Sequence, residues 1–165
     1  MAKKKFTNRR EKPEYDQKLL DLARVTRVVK GGRRFRFRAV LVIGNRNGKV
    51  GIGVSKGNDV SEAVRKAYNA ARKKIVQIKR HNNTIACNVE AKSGSAKVLL
   101  KPAKPGRGIV AGGAVRAIVE LSGIRDIVSK SMGSSNKLSV ARATIDALER
   151  VKSISGRQLA EEQTK

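Results

Sequence analysis

Arginine and phenylalanine alternate strictly through Arg34-Phe35-Arg36-Phe37-Arg38. In an extended chain successive side chains point to opposite faces, so the arginines make one row and the phenylalanines another. A rigid row of guanidinium forks suits the geometry of phosphate. Lys30-Gly31-Gly32-Arg33 leads into the row, and two glycines there permit positive φ and close approach of a ligand to the backbone. Between Asp21 and Asp59 the sequence holds ten basic residues and no acidic one. The row therefore has no carboxylate within that segment to neutralise it. A merely solvated basic face requires Asp or Glu from elsewhere in the chain to cover it.

The whole chain shares this bias. Its 165 residues fit one domain or two small ones, and 38 Lys+Arg against 13 Asp+Glu give a net charge of +25. Self-repulsion on that scale opposes folding, and a polyanionic partner is the economical explanation. Nucleic acid is the first choice, an anionic membrane surface the second. No apolar run approaches the ~18–20 residues of a membrane span, and no strongly apolar helix accompanies the basic residues, so no membrane role is expected. The N-terminus lacks the apolar segment of a secretory signal, which points to a cytoplasmic protein. Cys87 and His81 are each alone, which excludes an internal disulfide, a Cys- or His-rich metal site and a triad. No catalytic residue, metal or cofactor is expected. The aromatics are only Phe6, Phe35, Phe37, Tyr15 and Tyr68, too few for a row of stacking platforms. Duplex or folded RNA, held through phosphates, suits this composition better than single strands.

The elements that must position these residues follow from periodicity. Residues 1–17 read as a basic flexible arm. Leu19 to Val29 predicts a first strand. In "RFRFRAVLVIG" Phe35, Phe37, Ala39, Leu41 and Ile43 share one face, and Arg34, Arg36 and Arg38 share the other with Val40 and Val42. Asn47-Gly48 signals a hairpin, and "KVGIGVSKG", with Lys49 and Lys56, returns as a third strand. Asp59 and Glu62 resemble a capping box before a helix whose apolar stripe is Val60, Val64, Ala67, Ala71, Ile75 and Ile78. This predicts a β-β-β-α domain over 18–82, with Phe35 and Phe37 under the helix and the arginines facing away. "KRHNNT" links it to a second domain over 83–152. There "TIACNVEAK" and "AKVLLKPA" predict strands joined at Ser93-Gly94-Ser95. A glycine-rich loop, a helix from Ala114 to Leu121 stopped by Gly123, a strand in "IRDIVSKSMG" and a last helix complete β-β-α-β-α. Residues 153–165 read as a frayed polar tail. The fold class is α+β.

Three glycine patterns compete with this reading. Gly44 to Val50 echoes a phosphate loop but has the wrong spacing and precedes a strand. Gly48-Lys49-Val50-Gly51 matches the GXXG of KH domains, yet strand-like residues flank it. "PGRGIVAGGA", Pro105 to Ala114, feeds a helix N-terminus whose amides suit an anion. Its spacing resembles the phosphate loop of GHMP small-molecule kinases, with Gly112 and Gly113 where that loop has serines. It can bind an RNA phosphate, pack against a protein, or merely turn.

Taken together, "KGGRRFRFRAVLVIGNRNGKVGIGVSKG", "VSEAVRKAYNAARK" and the run from Lys104 to Leu148 resemble bacterial small-subunit ribosomal protein five, the S-five family, from about Leu19 to Val151. The resemblance implies an N-terminal domain like double-stranded-RNA-binding domains and a C-terminal domain of the fold shared with GHMP kinases, without catalysis. It implies a structural constituent of the small subunit that binds its ribosomal RNA at the junction of head and body. It also implies contacts to ribosomal proteins four and eight, a place near the side where messenger RNA enters, and influence on decoding accuracy. The family's RNA-contacting loop falls on Thr26 to Arg33, that is Thr26, Arg27, Val28, Lys30, Gly31, Gly32 and Arg33. Its contact with protein four falls on Gly108 and Arg116. With the residues read directly, Arg34, Arg36, Arg38, Lys49 and Lys56, these form the expected site. Two alternatives stay open, a free-standing regulator that binds duplex RNA and a GHMP-type kinase remnant binding ATP at Gly106 to Gly113.

Overall fold

A computed structural model describes residues 14–162, with side chains described through Val151. Most of the expected basic arm, including Lys3, Lys4, Lys5, Arg9, Arg10 and Lys12, lies outside the described residues. In chain order the elements are β1 (Asp16–Val29), β2 (Gly32–Gly44), β3 (Lys49–Gly57), α1 (Val60–Arg72), β4 (Ile75–Gln77), β5 (Val89–Ser93), β6 (Ala96–Pro102), β7 (Ile109–Val110), α2 (Gly113–Ser122), β8 (Ile127–Gly133) and α3 (Lys137–Glu162). They form two four-stranded sheets, β1-β2-β3-β4 and β5-β6-β8-β7. The chain is thus two-domain α+β, as its periodicity predicts.

Several boundaries differ from expectation. The first strand begins at Asp16, inside the stretch read as arm, and Tyr15 is buried against α1. Helix α1 ends at Arg72, so Ile75 and Ile78 lie off its stripe; Ile75 and Val76 pair with Gly51 and Val50 at the sheet edge. Short apolar β-branched runs satisfy both periods, and the vacant edge of β3 decides between them. The glycine-rich loop contains β7, parallel to β8. Helix α3 runs through the expected tail to Glu162. Asp59 is the α1 N-cap residue, but its carboxylate accepts from the Ser61 hydroxyl, while Glu62 accepts the Asn58 N–H at 2.8 Å.

Helix α1 lies on the first sheet at unusually close range. Ala63, Ala67 and Ala71 are fully buried, and the residues of β3 beneath them are Gly57, Gly53 and Gly51. A Cβ on Gly51 would stand 2.6 Å from the Ala71 carbonyl oxygen, and one on Gly57 2.6 Å from the Ala63 nitrogen; on Gly53 it would collide with the Ala67 carbonyl. Alanines four apart meeting glycines on one strand face let backbone approach backbone. Phe37 and Tyr68 seal the margin.

The sheet's other face joins the second domain. Val42 and Val50 are buried in one cluster with Val98, Leu100, Ile118, Val119, Leu121, Ile127 and Leu148. The two domains therefore share a core. At its edge, helix α2 ends on Leu121 and Ser122, whose carbonyls have no partner further along the helix. The β2–β3 loop supplies them: Arg46 N–H donates to Leu121 O at 2.9 Å and Gly48 N–H to Ser122 O at 3.0 Å. Arg80, from the expected linker, donates to Gly123 O at 3.2 Å and to Asn47 Oδ1 at 2.7 Å, placing a cation at the negative helix end. Gly123 adopts φ 81° and leaves no room for a Cβ beside the Arg46 carbonyl.

Gly53→Ala overpacks the α1–β3 contact and should cost roughly 3 kcal/mol, lowering the melting temperature by about 6–12 °C. Gly113→Ala, at a position with open space around it, should change stability by less than about 0.5 kcal/mol. Thermal denaturation of the two variants checks both.

Candidate nucleic-acid interface

β1 and β2 outrun the rest of their sheet. β3 ends at Gly57 opposite Phe37, so β2 from Gly32 to Arg36 is paired only with β1. The result is a two-stranded ribbon projecting past α1, tipped by the Lys30-Gly31 turn. Val28, Val29 and Phe35 are exposed along it, Val28 at 74%. A hairpin without a third strand or a covering layer is marginal by itself.

Register sorts the ribbon's side chains. Arg27 sits directly opposite Arg34, Val25 opposite Arg36, and Arg38 opposite Lys56. Like charges facing across a ladder destabilise it. Arg27, Arg34, Arg36 and Lys56, with Val25, Thr26 and Val29, line a groove of about 550 Å³ that has no carboxylate. Among the described residues, none of these four cations makes an ion pair.

Arg38 is the exception in the row. Its guanidinium pairs with Asp21 Oδ2 at 3.3 Å, and Lys137 at the start of α3 takes Asp21 Oδ1 at 3.0 Å. A carboxylate at the boundary of the acid-free segment thus neutralises the inner end of the row and leaves the outer end uncompensated. Arg38 Nε is buried with no hydrogen-bond partner. Phe37 lies under α1 as expected, but Phe35 does not: it is exposed at 45% because the helix stops short, and Arg24 stacks on it at 3.7 Å. Arg24 stands opposite Phe37, one diagonal step from Phe35, so the alternation itself offered the signal.

The structure gathers Thr26, Arg27, Val28, Lys30, Gly31, Gly32, Arg33, Arg34 and Arg36 onto this ribbon, with Lys56 and Arg38 at its root. At the turn Gly32 takes φ 146° and Gly31 does not need a positive value. Lys49 is not part of the group. It begins β3 at the opposite end from Lys56, seven residues or about 23 Å away.

Gly108 and Arg116 meet at another corner. Arg116 donates to Ile109 O at 2.9 Å, next to Gly108. Gly108 adopts φ 75° with open space where a Cβ would lie, so backbone conformation, not lack of bulk, requires glycine. Asp126, buried at 5% exposure, accepts the Gly108 N–H at 2.8 Å and so holds the loop; sequence reasoning gave it no role. No group of three or more metal-ligating side chains occurs among the described residues.

Residues 15–79 match the model for "Ribosomal protein S5, N-terminal domain" and residues 91–163 that for "Ribosomal protein S5, C-terminal domain". The chain is 52% identical over 139 residues to "Small ribosomal subunit protein uS5" of Campylobacter jejuni in strains 81-176, 81116 and RM1221. The match spans 84% of this chain and 95% of each relative.

The Lys137 ammonium foremost, and Arg38 beside it, hold the Asp21 carboxyl below the ordinary carboxylate range. That contribution to stability is fully present above about pH 4 and is lost as pH falls through the lowered value. Asp21→Asn should melt a few degrees below wild type at pH 7, with the gap closing on acidification below about pH 4. Melting curves between pH 2 and 7 read this directly; a gap independent of pH contradicts it.

Proposed function

The chain belongs to the ribosomal protein S5 family and is not an enzyme; on that premise we propose that it is a structural, RNA-binding constituent of the small ribosomal subunit. The observation that carries the reading is the projecting ribbon, whose groove collects Arg27, Arg34, Arg36 and Lys56 with no carboxylate among them. A ribbon that is marginal alone and repels itself across Arg27 and Arg34 gains stability when phosphate fills the groove. Binding then orders a surface that the free chain leaves without support.

The finer parts of the proposal rest on the family. The ribbon residues Thr26 to Arg34, with Arg36, Arg38 and Lys56, contact small-subunit ribosomal RNA at the junction of head and body, and Lys49 touches it separately. Gly108 and Arg116 contact ribosomal protein four and bear on decoding accuracy. Protein eight is a second neighbour, and messenger RNA enters nearby, all in the cytoplasm. The proposed domains, 18–82 and 83–152, are of the double-stranded-RNA-binding and GHMP-kinase-like types. The single helix across one face of the first sheet and the glycine-rich loop leading into α2 support those assignments. Arginines on the ribbon's face away from α1 favour recognition of one folded RNA over duplexes in general.

Tracking the protein through a sucrose gradient of cell lysate tests the assignment. Migration with small subunits after a moderate salt wash is expected, and migration at the top overturns it. For the ribbon, Arg34→Gln with Arg36→Gln should weaken binding to small-subunit ribosomal RNA at least tenfold. The log–log salt dependence should become shallower by about 1.4–1.8. An unchanged slope would remove the ribbon from the interface.

A further inference from the structure

Asn47 is the one asparagine of the chain that precedes a glycine; every other precedes a residue with a side chain. That pair carries a reaction of its own. The backbone nitrogen of the following residue can attack the asparagine Cγ, and glycine, without a Cβ, hinders the five-membered ring least. Asn47 is exposed at the β2–β3 turn, whereas Gly48 is buried beneath it.

The electrophile is already prepared. Arg80 donates to Asn47 Oδ1 at 2.7 Å, where negative charge develops during the attack. The nucleophile is withheld. Gly48 N–H donates across the domain junction to Ser122 O at 3.0 Å, and Gly48 O accepts the Ile78 N–H at 2.7 Å. An amide bonded in this way keeps its proton, and the attack requires that proton to leave. Gly48 also has no room to swing, for it takes φ 87° and a Cβ on it would stand 2.8 Å from Ile78 O. One step earlier, Asn47 N–H donates to Asn45 Oδ1 at 2.8 Å, which holds the turn on the other side.

We propose that Asn47 is a site of spontaneous deamidation that the domain junction keeps closed. When the junction opens, Gly48 N leaves Ser122 O, gives its proton to water and bonds to Asn47 Cγ. The Cγ–Nδ2 bond breaks, and Nδ2 departs as ammonia. Water then opens the succinimide in one of two ways. Breaking the bond from Gly48 N to Cγ gives aspartate. Breaking the bond from Gly48 N to the Asn47 carbonyl carbon gives isoaspartate, whose main chain is longer by one methylene carbon.

The two products act oppositely on the junction. Aspartate keeps the backbone in place and offers Arg80 a carboxylate, a stronger acceptor than the amide. Isoaspartate displaces the Gly48 N–H, and the buried end of α2 loses the donor to Ser122 O. The closed junction thus protects itself, and a chain held open is marked covalently.

The full chain is incubated at mildly alkaline pH in a urea series. Peptide mass spectrometry reads conversion at Asn47, beside hydrogen exchange of the Gly48 amide. The native chain should convert at least about a hundredfold more slowly than the unfolded one, because only the open fraction reacts. Across the series conversion and exchange should rise in parallel. Gly44→Ala presses a Cβ against Leu121 O and leaves Asn47 and Gly48 unaltered, and it should speed native conversion at least about tenfold. The purified isoaspartate form should melt below the wild type, and Asn47→Asp should not. No conversion in urea, a native chain that converts as fast as the unfolded one, or conversion that does not follow Gly48 exchange overturns the proposal. A Gly44→Ala chain whose Gly48 amide exchanges freely while Asn47 converts at the wild-type rate does so as well.

Discussion

The last carbonyls of helix α2 decide how this molecule is built. Leu121 and Ser122 have no residues beyond them in the helix to donate, and the amides that reach them belong to the other domain, from Arg46 and Gly48. Around that contact the chain admits only small residues, Gly123 at its positive φ and Gly44, where a Cβ would stand 2.5 Å from Leu121 O. Arg80 adds a cation where the helix dipole is negative. Below it lies a core to which both sheets contribute. Two small domains thereby become one body, with more buried apolar surface than either commands alone.

Rigidity in the body permits weakness at its margin. The ribbon has neither third strand nor helix over it, carries opposed arginines, and exposes Val28 and Phe35. Such an element survives only because its root is fixed, through β3, α1 and the Arg38–Asp21–Lys137 bridge that ties it to α3. The bridge also divides the arginine row. Its inner member serves the fold, and its outer members are left without a carboxylate. With +25 on 165 residues, the protein's surface electrostatics oppose its own compaction and favour RNA.

Much of this was legible in the sequence, where a local rule decides. Strict alternation placed arginines and apolar residues on opposite faces of β2, and Gly123 marked the end of α2. What escaped depends on distant partners. Phe35 obeys the alternation and is still uncovered, because coverage is set by where α1 begins, over Gly57 opposite Phe37. Ile75 and Ile78 fit a helical period equally well, and only the free edge of β3 makes the difference. Gly51, Gly53 and Gly57 looked like ordinary strand glycines until the alanines of α1 were seen against them. Lys49 shares a strand with Lys56, yet the strand's length carries it to the far end. Asp126 gave no signal, since its partner is a backbone N–H in a loop eighteen residues earlier.

Amide hydrogen exchange on the free protein and on its complex with small-subunit ribosomal RNA tests the division into rigid body and dependent ribbon most directly. The account predicts that the amides of Arg46 and Gly48 exchange only through global unfolding. Those from Arg24 to Arg36 should open locally in the free chain and become protected when RNA binds. Junction amides that exchange ahead of either domain's core, or a ribbon as protected without RNA as with it, would contradict the account.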